Sequence, residues 1–317
     1  MPKQYDRKKC TLPIFEESMD SLVLGRLLFW EENVPKWVLD RYNIPDETLI
    51  EKMPEWIFNW KVISETISFD HSLADLKQHR EYALHPSSAL VIDQSMASRT
   101  LLENIHHIKD YSGLIICCDR ALGKVLEYAK PEQVIVVQVD SSPLCFSFFD
   151  IPIVKNNMDK MIGAVFANTT NPLTIRRWSG RRFYFTPDLG YPPLTYTLAV
   201  KSKTPVLYCG GEVSTTCWQI ANNLGANPIG LFGIMNCYEK IAETEYPGIE
   251  HKTVENKYGK FVVDPVYQHY AKIHLSLIEQ AKKKHGVKTC NLSRSGIMYS
   301  DYIVDMTLEE FVRSLNE

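Results

Sequence analysis

Several features that would place a chain in a familiar class are missing here. No apolar run approaches the roughly 18 residues needed to cross a bilayer, so no membrane span is expected. Residues 1–10 are polar and basic with no apolar stretch behind them, which argues against a secretory signal. An excess of charge of one sign is also missing: 35 Lys and Arg stand against 38 Asp and Glu, a formal net charge of -3. Such a chain has no bulk basic field to hold a phosphate backbone, and a nucleic-acid partner is not expected. The 8 cysteines make no CxxC pair and no disulfide framework. Most lie inside apolar runs, as buried thiols in a reducing compartment do, and the expected location is the cytoplasm. The 9 histidines show neither HExxH nor HxxxH spacing, which leaves no histidine zinc site. GxSxG and GxxxxGK[ST] are absent too, which excludes a serine-hydrolase elbow and a P-loop.

What is present is a globular composition, 45% hydrophobic and 23% charged, in 317 residues, enough for one large core with an appendage. Residues 1–86 are rich in charge and tryptophan (Trp30, Trp37, Trp56, Trp60) and are punctuated by Pro35, Pro45 and Pro54. The apolar spacing around Leu22 to Trp30 and Ile57 to Ile63 predicts helices, with the tryptophans as packing residues. From residue 87 the rhythm changes. Short apolar runs at 89–92, 114–118, 134–139, 161–166, 182–185, 205–208 and 228–232 read as strands, several of them apolar on both faces. Helix-like stretches at 97–108, 121–128 and 213–224 lie between them. This alternation predicts an α/β fold: a Rossmann-like, doubly wound, mostly parallel sheet over residues 87–317, with a helical N-terminal region. A long Lys-rich helix is expected from Asp264 to His285, with Gly286 as its C-cap.

In open α/β sheets ligands bind beyond the carboxyl ends of the strands, so the residues after each run are the candidates. Ser95 follows the first run in a loop without glycine, where it either touches a phosphate or caps a helix. Asp119 and Asp140 end the second and third runs; two such carboxylates suit Mg²⁺, ribose hydroxyls, or a cap or Asx-turn. After Tyr208 comes Cys209-Gly210-Gly211-Glu212-Val213-Ser214-Thr215-Thr216, opening a helix. Gly210 and Gly211 admit close backbone approach, and Ser214 and Thr215 add hydroxyls, which makes this the best phosphate cradle in the chain. Asn236, after the last run, is placed to read a base or a sugar. Arg176, Arg177, Arg181 and Arg182 form a locally basic strip that suits phosphate or merely coats a helix.

The run from Gly210 to Gly225, with Asn227-Pro228-Ile229-Gly230-Leu231-Phe232-Gly233 behind it, resembles the central block of the MptE-like family. That family holds archaeal 6-hydroxymethylpterin diphosphokinases and the glycosyltransferase domain of motility-accessory (Maf) proteins. Cys118-Asp119, Val139-Asp140, the block from Trp178 to Phe185, Tyr258-Gly259-Lys260, Asp264, and the closing segments 291–296 and 308–311 resemble its other conserved stretches. The resemblance covers residue 87 to the end. It implies a nucleotide and a small-molecule acceptor as ligands, with Asp119 and Asp140 holding Mg²⁺ and Asn171 at a catalytic position. The implied reaction is pyrophosphoryl transfer from ATP to a hydroxymethylpterin-like acceptor. The alternative is transfer of an acidic sugar from a CMP-activated donor. Three departures stand out: the first loop has no glycine, Asn171-Pro172 replaces a His-Pro, and Ile234 and Met235 fill a place where Maf relatives carry Asp. An asparagine is no general base. A module that binds nucleotide or partner without turnover is therefore a third reading. A homo-oligomer is compatible with each.

Overall fold

A computed structural model describes residues 46–78, 83–93, 103–189, 192–238 and 251–315. Trp30, Trp37, Cys10, Ser95, Pro35, Pro45 and the helices expected before residue 46 lie outside the described residues, as does the first half of the 97–108 stretch.

The chain builds one nine-stranded sheet. Its strands are β1 (Ala89–Ile92), β2 (Leu114–Cys118), β3 (Val134–Gln138), β4 (Gly163–Ala167), β5 (Arg182–Pro187), β6 (Val206–Leu207), β7 (Ile229–Phe232), and two near the end of the chain, Thr289–Asn291 and Ile303–Asp305. Between these last two and β7 lies an antiparallel hairpin, β8 (Lys252–Asn256) and β9 (Gly259–Val263), so the two late strands are β10 and β11. The sheet order is β11-β10-β7-β1-β2-β3-β4-β5-β6, and every pairing in it is parallel. Rossmann-like winding is thus realised. Apolar side chains alternate between two cores. Val91, Ile116 and Val137 enter one, with Trp218 and Ile278, while Leu90, Ile115 and Val136 enter the other, with Leu122 and Phe311. Both faces are covered by helices, which is why the central strands are apolar throughout.

The principal helices are α1 (Asp46–Thr66), α2 (Asp119–Val125), α3 (Pro172–Arg177), α4 (Pro192–Ser202), α5 (Val213–Asn223), α6 (Pro265–His285) and α7 (Leu308–Ser314). α6 begins and ends where its caps predict: Asp264 accepts from Tyr267 N, and Gly286 takes the left-handed φ of 68°. α1 runs through Pro54 instead of breaking there. Its loss of one helical hydrogen bond is offset by docking. Asn59 donates to Thr169 O at 3.1 Å and Trp60 Nε1 donates to Ser202 Oγ at 2.7 Å. Trp56 and Trp60 pack with Leu189, Leu194 and Leu198, as packing tryptophans should. Ile63 and the segment around Leu73, which bonds to Tyr184 of β5, carry this part of the chain into the main cores. No helix among the described residues is long and apolar enough to cross a membrane. Cys117, Cys118, Cys145, Cys209, Cys217, Cys237 and Cys290 are buried and form no disulfide with one another.

Candidate functional site at the switch point of the sheet

From β1 the chain winds outward through β2 to β6, then returns to lay β7 on the other side of β1. The connections leaving β1 and β7 therefore diverge, and the crevice between them is where an open α/β sheet takes a ligand. A cavity of about 250 Å³ lies there. Its walls come from the residue after β1 (Asp93), the end of β2 (Cys118, Asp119, Arg120), the end of β3 (Gln138, Asp140), the β6–α5 connection (Gly211, Glu212), the segment after β7 (Asn236, Tyr238) and one face of α6 (Tyr267, Tyr270). A roomier hollow of about 710 Å³ runs along the outer side of α6 past Lys272 and Glu279, but none of the strand-end residues reaches it.

Carboxylates dominate the crevice. Asp119 is buried at the start of α2, and burial pushes its carboxyl up to about 7. The amide of Arg120, 2.8 Å from Oδ1, works against that rise, while the charges of Asp93 and Asp140 add to it. Asp140 is exposed at the rim, and its Oδ1 accepts from Ser142 N at 2.8 Å, an Asx-turn. Glu212 is another, besides Asp93. Burial of its carboxyl opposes ionisation, but the facing His274 and the Asn236 amide outweigh it and hold the group below the usual carboxylate range. Arg120 is an exposed cation on the same wall, over the Phe148 ring at 6.0 Å.

The donor chemistry suits a hard cation. Among the described residues no three His, Cys, Asp or Glu side chains group closely enough to hold a metal by themselves. Mg²⁺, however, is commonly held by one or two carboxylates with a substrate's phosphates and water completing the shell. Asp119 and Asp140 fit that pattern.

Of the residues singled out from the sequence, Asp119, Asp140, Gly211 and Asn236 meet in this crevice. Gly210 adjoins it, at φ 63° and packed on Thr215 and Ile273. Ser214 and Thr215 are fully buried in the first turn of α5, where the Thr215 hydroxyl donates to Glu212 Oε1 at 3.1 Å. Asn171 does not line the crevice. It caps α3, its Oδ1 accepting from Leu173 N at 3.0 Å. The arginine strip is also elsewhere: Arg176 donates to Thr66 Oγ1 at 2.8 Å and Arg182 to Trp178 O at 2.7 Å.

Sequence reasoning passed over Glu212, Gln138, Tyr267 and Tyr270. Glu212 carried a readable signal, a charge directly behind a Gly-Gly pair. Gln138 carried another, since it is the polar last residue of an apolar strand. It is 1% exposed, its Oε1 accepts from Thr170 Oγ1 at 3.0 Å, and its Nε2 has no hydrogen-bond partner among the described residues. The tyrosines sit on a helix distant in sequence and gave no local sign.

Residues 97–240 match the family described as MptE-like: 6-hydroxymethylpterin diphosphokinase MptE-like. The resemblance read from the sequence holds over that segment, which contains the strand-end carboxylates and the Gly-Gly connection. No curated protein matches the chain. Among solved structures, the Maf glycosyltransferase from Magnetospirillum magneticum AMB-1 is similar, with a TM-score of 0.51 and 14% identity over 74% of this chain. This chain spans only 37% of that one, and the likeness is one of fold.

Proposed function

We propose that this protein is a nucleotide-dependent transferase acting at the switch-point crevice, with pyrophosphoryl transfer from ATP to a hydroxymethylpterin-like acceptor as its reaction. The match over residues 97–240 supports a transferase-like activity. The observation that carries the reading is the meeting of Asp119, Asp140, Gly211 and Asn236, distant in sequence, in one cavity beyond the strand ends.

In such a transfer the acceptor hydroxyl oxygen forms a bond to the β-phosphorus and releases its proton to solvent, the bond from that phosphorus to the oxygen bridging to the α-phosphate breaks, and AMP leaves. Asp119 and Asp140 would hold Mg²⁺, which would offset phosphate charge. The chain's own part is chiefly positioning in a partly desolvated site. Arg120 contributes a fixed positive charge at the wall. Gly211, lacking a β-carbon, lets the Tyr270 ring pack directly on the α5 connection at the cavity wall. Tyr267 and Tyr270 supply flat apolar faces for a ring, and Asn236 and Glu212 add polar groups to the same cavity.

Isothermal titration of the full chain with ATP and with CMP, each with and without Mg²⁺, tests this. The expected result is Mg²⁺-dependent ATP binding that Asp140→Ala weakens about ten-fold or more. Unchanged affinity in Asp140→Ala removes the metal role. Preference for CMP moves the protein to the sugar-transferring alternative. Binding of nucleotide without turnover of any acceptor favours a non-catalytic module.

A further inference from the structure

The start of α5 has the parts of a phosphate cradle: two glycines, neighbouring hydroxyls and a helix N-terminus. Glu212 alters what that cradle accepts. Its side chain is 11% exposed and reaches the crevice, where Oε1 takes hydrogen bonds from Asn236 Nδ2 and Thr215 Oγ1, each at 3.1 Å. Behind it stands His274 of α6, fully buried, with Nδ1 3.5 Å from the same oxygen and its ring edge-on to Trp218 at 5.7 Å. The carboxylate is thus fixed in place from three sides. A phosphate set at this helix start would lie against a held negative charge in a poorly solvated recess, where like charges repel strongly.

Asn236 faces the same space. It is 5% exposed and holds the left-handed φ of 52°, a conformation that costs a non-glycine residue energy and persists where its surroundings over-determine it. Its amide both donates and accepts, whereas the ionised Glu212 only accepts. A phosphate oxygen offers only acceptors and an ammonium only donors; a hydroxyl offers both.

The geometry points to Glu212 and Asn236 as a reader of sugar hydroxyls, the ribose of the nucleotide, at the place where a phosphate cradle was expected. The phosphates are then left to the opposite wall, beside Asp119, Asp140 and Arg120. His274 is a positioning residue that keeps the Glu212 carboxylate turned to the crevice. This assignment rests on the nucleotide-dependent transferase reading and names the ribose subsite within it.

The test is titration of the full chain with CMP and with ATP and Mg²⁺, each against its 2′,3′-dideoxy analogue. In the wild-type chain the hydroxylated form binds about ten-fold or more tightly, as expected when a ligand withholds a donor from a charged, poorly solvated acceptor. In Glu212→Gln that ratio falls to within about three-fold while the Mg²⁺ dependence of ATP binding persists. Asn236→Gly gives the same collapse, and because glycine suits a φ of 52° the variant does not add backbone strain. A wild-type ratio near one, or a ratio unchanged in both variants, overturns the ribose assignment and leaves the transferase reading standing. Failure of every nucleotide to bind the wild-type chain overturns the transferase reading, and the ribose subsite with it.

Discussion

The Tyr238 hydroxyl donates to Asp264 Oδ2 at 3.1 Å, while the other oxygen of that carboxylate accepts from Tyr267 N at 2.8 Å. One buried side chain therefore joins the segment after β7 to the first turn of α6, the two parts that close the crevice opposite the strand ends. The Tyr238 and Tyr267 rings meet edge-on at 5.2 Å across the same junction. Asp264→Ala removes a helix cap and a hydrogen-bond acceptor of a buried hydroxyl, and a loss of about 2–4 kcal/mol is expected. Tyr238→Phe removes only the hydroxyl and leaves the cap, so its loss should be nearer about 1 kcal/mol. Urea unfolding measures both, and equal losses for the two variants would contradict this division of labour.

Asp119 makes stability depend on pH in a specific direction. Its carboxyl, 3.8 when unperturbed, is raised to about 7 in the folded chain by burial. The folded state therefore holds the proton more tightly than the unfolded one. That contribution is complete below the unfolded value and is lost as pH climbs through about 7. Asp119→Asn, which cannot ionise, should gain on the wild-type chain by roughly 1–3 kcal/mol at pH 8 and by little at pH 4. Millimolar Mg²⁺ should raise the wild-type midpoint at pH 8 and leave Asp119→Asn unmoved. Denaturation midpoints across that range decide it, and a variant less stable than wild type at pH 8 would refute the burial argument.

Gly211 sits at φ 90°, and a β-carbon there would overlap the Tyr270 ring. Gly211→Ala must strain the backbone and displace the ring, with an expected cost of about 1–3 kcal/mol and a clear fall in nucleotide affinity. Adding Tyr270→Ala should recover part of the stability loss, because only the steric share is relieved. A double-mutant cycle showing strict additivity would mean that the two residues do not press on one another.

Asn171 belongs to the scaffold of α3. Asn171→Ala should cost about 1 kcal/mol as a lost cap and leave ATP and CMP affinities where they were. Calorimetry that finds binding weakened ten-fold would return Asn171 to the site.

The amino-acid sequence by itself determined the kind of elements and where several of them stop. Runs such as Leu114–Cys118 are apolar on both faces, a pattern only a sheet covered on both sides can use, and the strand-end aspartates follow directly from those runs. Asp264 and Gly286 bracket α6 through cap chemistry confined to a few neighbouring residues. Short strands such as Thr289–Asn291 carry too few residues to show a period, and the β8–β9 hairpin is largely exposed, so neither was legible. The tertiary structure alone decided that β7 lies beside β1, which opens the crevice, that His274 backs Glu212, that Tyr267 and Tyr270 form its far wall, and that Asn171 falls outside it. The physical reason is range: periodicity and capping act between residues a turn or two apart, whereas strand order and the meeting of distant side chains follow from burying both faces of the whole sheet at once.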